Sequence, residues 1–437
     1  MVEAGPALRR LTARDLVLFN ISAVAGIRWL PAAAQAGSGS LVLWITAAFL
    51  FFGPCAKVVA ALSQRFPEQG GIYPWTRRAW GDWHAFLCAW CYWLNNLFYA
   101  PGLALSGVAM ATSLAPPPYD ELAENARYTV AVSVAVLAGV VAANLAGLRA
   151  VRWTGAAGGT ATYLAGLILI AAGGAAWLER GSATAIEIAP RLDWEKVNFW
   201  PQIAFAFGGL ELSAMFGGEI RDPGRTVRVA TWISGAAITA FYLLGTLAIL
   251  VLIPAGEVSV LTGLTQAGRA AAGILDAAWL APALGLLAAA SAAGQLGAWM
   301  TGTARLPMLL GVEHLLPRAF GSLRFSLLFQ GAVCAILLVV SQHGENLRTG
   351  YQLLVDMTVI TYFIPFLYLF LAAWRFGLRL PAASGLAVTL VAIAFSFIPP
   401  GGAASGWVFF LKLVAGTGLV AGFARLRFVR VRAAIPA

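Results

Sequence analysis

What most constrains this chain is the recurrence, along its whole length, of apolar runs about 20 residues long, the length that carries a helix across a bilayer. Twelve such spans are legible, at about 14–36, 40–63, 82–114, 127–148, 154–178, 199–220, 227–253, 278–311, 320–341, 350–374, 383–399 and 404–424. Hydrocarbon offers a backbone no hydrogen-bonding partner, so each run must satisfy its own N–H and C=O groups as a helix. The expected class is an all-α polytopic membrane protein of twelve transmembrane helices. Composition agrees, because 60% hydrophobic and only 11% charged residues leave too little polar surface for a soluble domain.

An even number of crossings puts both termini on one side. With these boundaries, twenty basic residues fall on the side of the termini and six on the other, with Arg28, Lys57 and Lys412 left inside spans, which accounts for all 29. The positive-inside rule then makes both termini cytoplasmic and the chain a multi-pass inner (plasma) membrane protein. The net charge of +10 is thereby topogenic, and the bilayer replaces nucleic acid as its partner. Arg9 and Arg10 precede an apolar run as in a leader peptide, but the run is too long and lacks a small-residue cleavage site, so they read as a cytoplasmic anchor. No loop is long enough for a second domain. Residues 1–437 form one transmembrane unit, with short surface helices the most that the outside loops near 179–198 and 254–277 can hold.

Cys55, Cys88, Cys91 and Cys334 all lie within apolar spans, where packing rather than disulfide or redox chemistry is expected. His84, His314 and His343 are scattered over separate loops and helix ends, so no cluster of metal ligands or nucleophiles points to an enzyme, and no metal or cofactor is implied. Gly155/Gly159 and Gly418/Gly422 have the GxxxG spacing of close helix packing.

Span 1 contains the chain's main anomaly. In NISAVAGIRWLPAAA, from Asn20 to Ala34, Arg28 sits near mid-membrane between Gly26 and Pro31, which both weaken a helix. A charge there costs about 2.5–3.5 kcal/mol on insertion scales, so it needs a partner, water or a task. One reading is a helix broken at a ligand site; the other is a kinked helix whose Arg28 pairs with an acid. Span 6, FAFGGLELSAMFGGE, sets Gly208 and Gly209 beside a lone acid, Glu211. Their starts are five spans apart, an odd number, so they run antiparallel, as the paired broken helices of an inverted repeat do.

The connection after span 2, RFPEQGGIYPWTRRAWG (Arg65–Gly81), is too polar to cross, and Pro67, Gly70 and Gly71 force a turn before an aromatic, basic segment. It resembles the F-P-x-x-G-G-x-Y-x-W loop of the amino acid, polyamine and organocation transporter superfamily. GGEIRDPGR (Gly217–Arg225) is similar to that superfamily's E-x-x-x-P-x-R element. GQLGAWMTGTAR (Gly294–Arg305), HLLPRAF (His314–Phe320) and IPAGEVSVLTG (Ile253–Gly263) make the pattern most similar to the glutamate/γ-aminobutyrate antiporter branch.

The resemblance implies a 5+5 inverted repeat (LeuT-like), with repeats at about 14–178 and 199–374, spans 1 and 6 broken, and two extra helices at about 383–424. It implies a secondary active amino acid transporter, an antiporter or proton-coupled symporter working by alternating access. Its substrate would lie among spans 1, 3, 6, 8 and 10. The backbone of Val24, Ala25, Gly26, Ile27 and Arg28 would receive a carboxylate, and that of Phe205, Phe207 and Gly208 an ammonium. Trp299 would cover the substrate as a gate, and Trp93, Asn96, Gln295 and Tyr362 are further candidate contacts.

Two positions depart from the relatives. Arg28 replaces the second glycine of a G-x-G turn, and Gln295 stands where the antiporter branch has a glutamate. Arg28 either binds the side-chain carboxylate of an acidic substrate or is a built-in cation paired with Glu211 or Asp356. Those two acids, the only ones placed well inside the bilayer, are the candidates for proton coupling. An acidic amino acid or its decarboxylation product is the expected substrate. The alternative is an amino-acid-binding sensor or subunit that does not transport.

Overall fold

The structure, a computed structural model, describes residues 12–68, 70–115, 119–187, 199–220, 222–342, 347–398 and 406–434. Arg9, Arg10 and His343 lie outside these described residues. The described residues form helices throughout and no strands. Span 1 is α1 (Ala13–Val24) and α2 (Trp29–Ala34), and span 2 is α3 (Gly39–Arg65), which contains a π-helical turn at Ala48–Phe52. The polar connection is a short helix, α4 (Ile72–Trp80). Spans 3 to 5 are α5 (Asp82–Ala111), α6 (Ala126–Leu145) and α7 (Leu148–Arg180). Span 6 is again divided, into α8 (Trp200–Ala206) and a 3-10 segment, Leu210–Glu219. Span 7 is α9 (Pro223–Leu252), followed by the surface helix α10 (Gly263–Leu275). Spans 8 to 12 are α11 (Leu280–Val312), α12 (Leu323–Ser341), α13 (Leu347–Arg375), α14 (Arg379–Ser396) and α15 (Gly406–Ala434).

Nine helices among the described residues are long and apolar enough to cross a membrane, and they coincide with spans 2–5 and 7–11. Their ends carry the expected punctuation. Thr12 caps α1 in a reciprocal arrangement with Asp15, and Asp222 caps α9 with Pro223 in its first turn. Gly70 and Gly71 have φ of 104° and 53°, which lets the chain turn sharply into α4.

The centre of the bundle is α5. It is buried along most of its length and packs against α11 and α13, while α6 and α12 face outward. Large apolar side chains exposed on the outer helices, such as Leu167, Ile336 and Leu390, are what a hydrocarbon solvent requires. The expected GxxxG contacts are displaced. A Cβ at Gly155, Gly418 or Gly422 would meet nothing within 4 Å, whereas one at Gly158 would lie 2.5 Å from Cα of Gly294. The close approach of α7 and α11 therefore uses a glycine of each helix, which the spacing within one helix cannot identify.

On the side of α4, Tyr73 donates to Glu313 at the end of α11, and Arg77 bridges Glu313 (3.4 Å) and Asp82 (2.7 Å). Burial, then the hydrogen bond to Glu313 and its charge, push the Tyr73 phenol well above its ordinary pKa. Arg78 pairs with Glu68 across the same turn.

Candidate functional site

The two interruptions lie against each other at the core of the bundle. α1 ends at Val24 because Ala25 turns to an extended conformation (φ −65°, ψ 104°), and α2 restarts after Arg28. α8 ends at Ala206, and Gly209, with φ of 117°, reverses the chain into the 3-10 segment. A Cβ at Gly209 would come 3.0 Å from Val24, and one at Gly208 would come 2.2 Å from the Tyr362 ring. Glycine is needed here both for the turn and for contact between the two breaks.

Much of the backbone exposed by these breaks is already satisfied by side chains. The Tyr242 hydroxyl of α9 shares its proton between the carbonyls of Val24 (2.7 Å) and Ala206 (2.9 Å) and accepts from the Gly26 N–H (3.2 Å). Gln295 donates to the Ala25 carbonyl (2.8 Å), and Trp299 donates to that of Ala23 (3.3 Å). The Gly26 N–H is thus occupied, contrary to its expected part in binding a carboxylate. The N–H groups of Ile27 and Arg28 make no hydrogen bond among the described residues. In span 6 the carbonyls of Phe205 and Ala206 are likewise taken, by Gly208 N–H and Tyr242.

Arg28 is 3% exposed and stands between two rings, its guanidinium carbon 4.2 Å from the centroid of Trp29 and 4.4 Å from that of Tyr99. It reaches the α5 backbone at Gly102, where a Cβ would lie 3.5 Å from its Nη1. The hydroxyls of Tyr99 and Tyr351 are close enough to feel its charge. Even so, none of its three nitrogens reaches hydrogen-bond geometry with a partner, and no acid forms an ion pair with it among the described residues.

Neither expected acidic partner meets Arg28. Glu211, fully buried, accepts from Tyr92 (2.8 Å), Tyr362 (2.5 Å) and the Gly209 N–H (3.1 Å). Asp356 accepts from Gln352 (3.2 Å), one turn back on α13. Six residues separate it from Tyr362, roughly 120° of helix rotation, so it points away from the breaks. The paired-cation reading of Arg28 is therefore not what the geometry contains.

Aromatic rings fill the space between Arg28 and Glu211. Tyr99 lies 5.2 Å from Trp299, Trp299 lies 6.2 Å from Tyr362, and Phe205 lies 4.8 Å from Tyr362 and 5.3 Å from Trp29. Each of these residues is less than 5% exposed, so the cluster between the two breaks is buried. Val24, Ala25, Gly26, Ile27, Arg28, Phe205, Gly208, Glu211, Gln295, Trp299 and Tyr362 come together here. Phe207 lies on the far side of the turn, packed edge-on against Trp44 and Tyr242.

Trp93 does not join them. Its indole donates to Gln330 of α12 (3.0 Å) and packs on Phe320 and Phe329, a structural contact on another face of α5. Asn96 is buried with both amide atoms unpaired among the described residues, as is its neighbour Asn95. Sequence reasoning passed over Tyr92, Tyr99, Tyr242 and Tyr351. On α5 the helical spacing of Tyr92, Asn95, Tyr99 and Gly102 was a legible signal for one polar face; nothing local marks Tyr242 or Tyr351.

Two interrupted helices that meet at a buried cluster of aromatic and charged side chains are what the broken-helix site of a membrane carrier requires. The amino acid permease family model matches residues 11–420, and the chain belongs to that family of transporters, within the amino acid, polyamine and organocation superfamily. It is a secondary amino acid transporter and not an enzyme. An uncharacterized transporter of Legionella pneumophila is 25% identical over 415 residues, covering 88% of this chain and 89% of the relative. An uncharacterized transporter of Mycobacterium tuberculosis is 28% identical over 75% of this chain and 73% of its own. A probable agmatine/putrescine antiporter of Lactococcus lactis is 21% identical, covering 70% and 67%. The crystal structure of MhsT in complex with L-phenylalanine superposes with a TM-score of 0.60 over 94% of this chain and 98% of that one. At 12% identity this likeness concerns the fold alone, which is LeuT-like.

Proposed function

We propose that the chain carries an acidic amino acid by alternating access, with Arg28 receiving a substrate carboxylate. The observation behind this reading is the guanidinium itself, buried between Trp29 and Tyr99 with no acid paired to it among the described residues. Taking a cation out of water costs several kcal/mol unless an opposite charge compensates it. A carboxylate entering the chamber provides that charge, and a bidentate contact suits the planar fork of arginine. The unbonded N–H groups of Ile27 and Arg28 add donors beside it.

Charge also orders the possible substrates. The acid at the site, Glu211, already accepts three hydrogen bonds, while Arg28 lies against aromatic rings and pairs with no acid among the described residues. The site therefore favours a substrate with net negative charge and repels polyamines such as those in the name of the Lactococcus relative. We assign proton coupling to Glu211 rather than Asp356, because it touches the span 6 break. In this scheme the repeats at about 14–178 and 199–374 rock around the fixed chamber, and both termini are cytoplasmic.

Counterflow in proteoliposomes tests the whole reading. Liposomes loaded with glutamate, aspartate, γ-aminobutyrate, a neutral amino acid or putrescine are assayed at two pH values, with and without sodium. Accelerated exchange of the acidic amino acids is expected. Binding without counterflow would leave a sensor, and exchange of putrescine alone would overturn the role given to Arg28.

A further inference from the structure

Away from the chamber, α3, α9 and α14 enclose a lateral crevice of about 750 Å³ that opens to the surrounding hydrocarbon. That volume lies within the range of small-molecule sites. The π-helical turn Ala48–Phe52 widens α3 at this point, and Ser384 of α14 secures it by donating to the Leu50 carbonyl (2.7 Å). The floor is tight, since a Cβ at Gly235 of α9 would sit 2.1 Å from the Phe52 ring. The walls are apolar apart from a few groups, of which one is charged: Lys57.

Lys57 is exposed to the crevice and forms no ion pair among the described residues. Eight residues, roughly 12 Å of helix, separate it from Arg65 at the basic end of α3. At that depth its stem lies along hydrocarbon and its ammonium extends toward the headgroup level. Arg379, exposed at the start of α14, precedes Leu380 on the same rim. An apolar slot with one cation, Lys57, in its wall and a second, Arg379, next in the chain to its lining residue Leu380 complements a ligand with an acyl chain below and a negative head above. We propose that the crevice is a binding site for one anionic phospholipid, its chain between α3 and α9 and its phosphate on Lys57.

Native mass spectrometry of the full chain with equimolar phosphatidylglycerol and phosphatidylcholine of matched chains tests this. The wild type should retain phosphatidylglycerol preferentially. Lys57→Gln should reduce that preference about fivefold, and Ala240→Trp, which fills the slot from an exposed position, should remove bound lipid of either head. Arg324→Gln, on α12 outside the crevice, should change neither. Equal retention of the two lipids by the wild type, full preference in Lys57→Gln, or an equal loss in Arg324→Gln would each overturn the proposal. Thermal melting confirms that the variants are folded, so an unfolded variant is replaced by Lys57→Met or Thr239→Phe before the comparison is made.

Discussion

The guanidinium of Arg28 lies 4.4 Å above the ring of Tyr99, and the Tyr99 hydroxyl donates to Gln295 (3.3 Å), which itself holds the Ala25 carbonyl. Through these contacts the charge in the chamber is tied to the end of α1, so occupancy at Arg28 bears on the helix whose break defines the site.

Replacing Arg28 separates stability from function. Arg28→Met keeps volume and removes an uncompensated buried charge, a change that is often neutral or stabilising by about 1–4 kcal/mol for buried ionic groups. The substrate-free melting temperature should hold or rise, while acidic substrate binding weakens by about 2–5 kcal/mol, at least thirtyfold. Arg28→Lys should recover only part of the affinity, because an ammonium lacks the bidentate fork. Thermal-shift titration with glutamate in detergent measures both effects.

Tyr242→Phe removes one oxygen and leaves Val24, Ala206 and Gly26 each without its partner. A buried group so orphaned costs about 1–3 kcal/mol. Denaturation should show a loss in this range, and counterflow should slow even at saturating substrate, because both breaks lose their common support.

Glu211→Gln places an amide where Tyr92, Tyr362 and the Gly209 N–H all donate to a carboxylate. If Glu211 is the coupling acid, uptake by the variant becomes independent of pH while exchange persists. A retained pH profile would assign coupling elsewhere.

The Tyr73 phenol, raised chiefly by burial and by Glu313, gives the fold an alkaline limit. A group whose pKa is higher folded than unfolded contributes stability below its unfolded value, about 10, and loses it as pH rises toward the folded one. The melting temperature should therefore fall as pH rises above about 10, and Tyr73→Phe should flatten that fall. Melting curves of both proteins across this window make the comparison.

Spans and breaks were legible because each leaves a local trace: a 20-residue apolar run, or glycines beside an isolated charge, as at Arg28 and Glu211. The partners of those charges left none. Tyr242 lies more than 200 positions from Val24, and only folding brings them together. Trp93 looked like a ligand contact because tryptophan marks so many binding sites, but its helical phase turns it to Gln330. Asp356, a candidate coupling acid by residue type, accepts from Gln352 one turn back rather than from Arg28. Residue type alone could not distinguish the faces of α5 or α13; spacing did so on α5 once one contact was known.

The meeting of Gly158 and Gly294 sets what kind of movement the bundle permits. With no side chain between them, α7 and α11 touch backbone to backbone, and a slide of one turn would bring Ala290 or Ala298 to the place Gly294 now holds. Their methyl groups do not fit there, so translation along the helix axes is blocked while rotation about the contact remains open. The glycine pair thus works as a pivot, and any opening of the chamber that displaces these two helices must be a tilt.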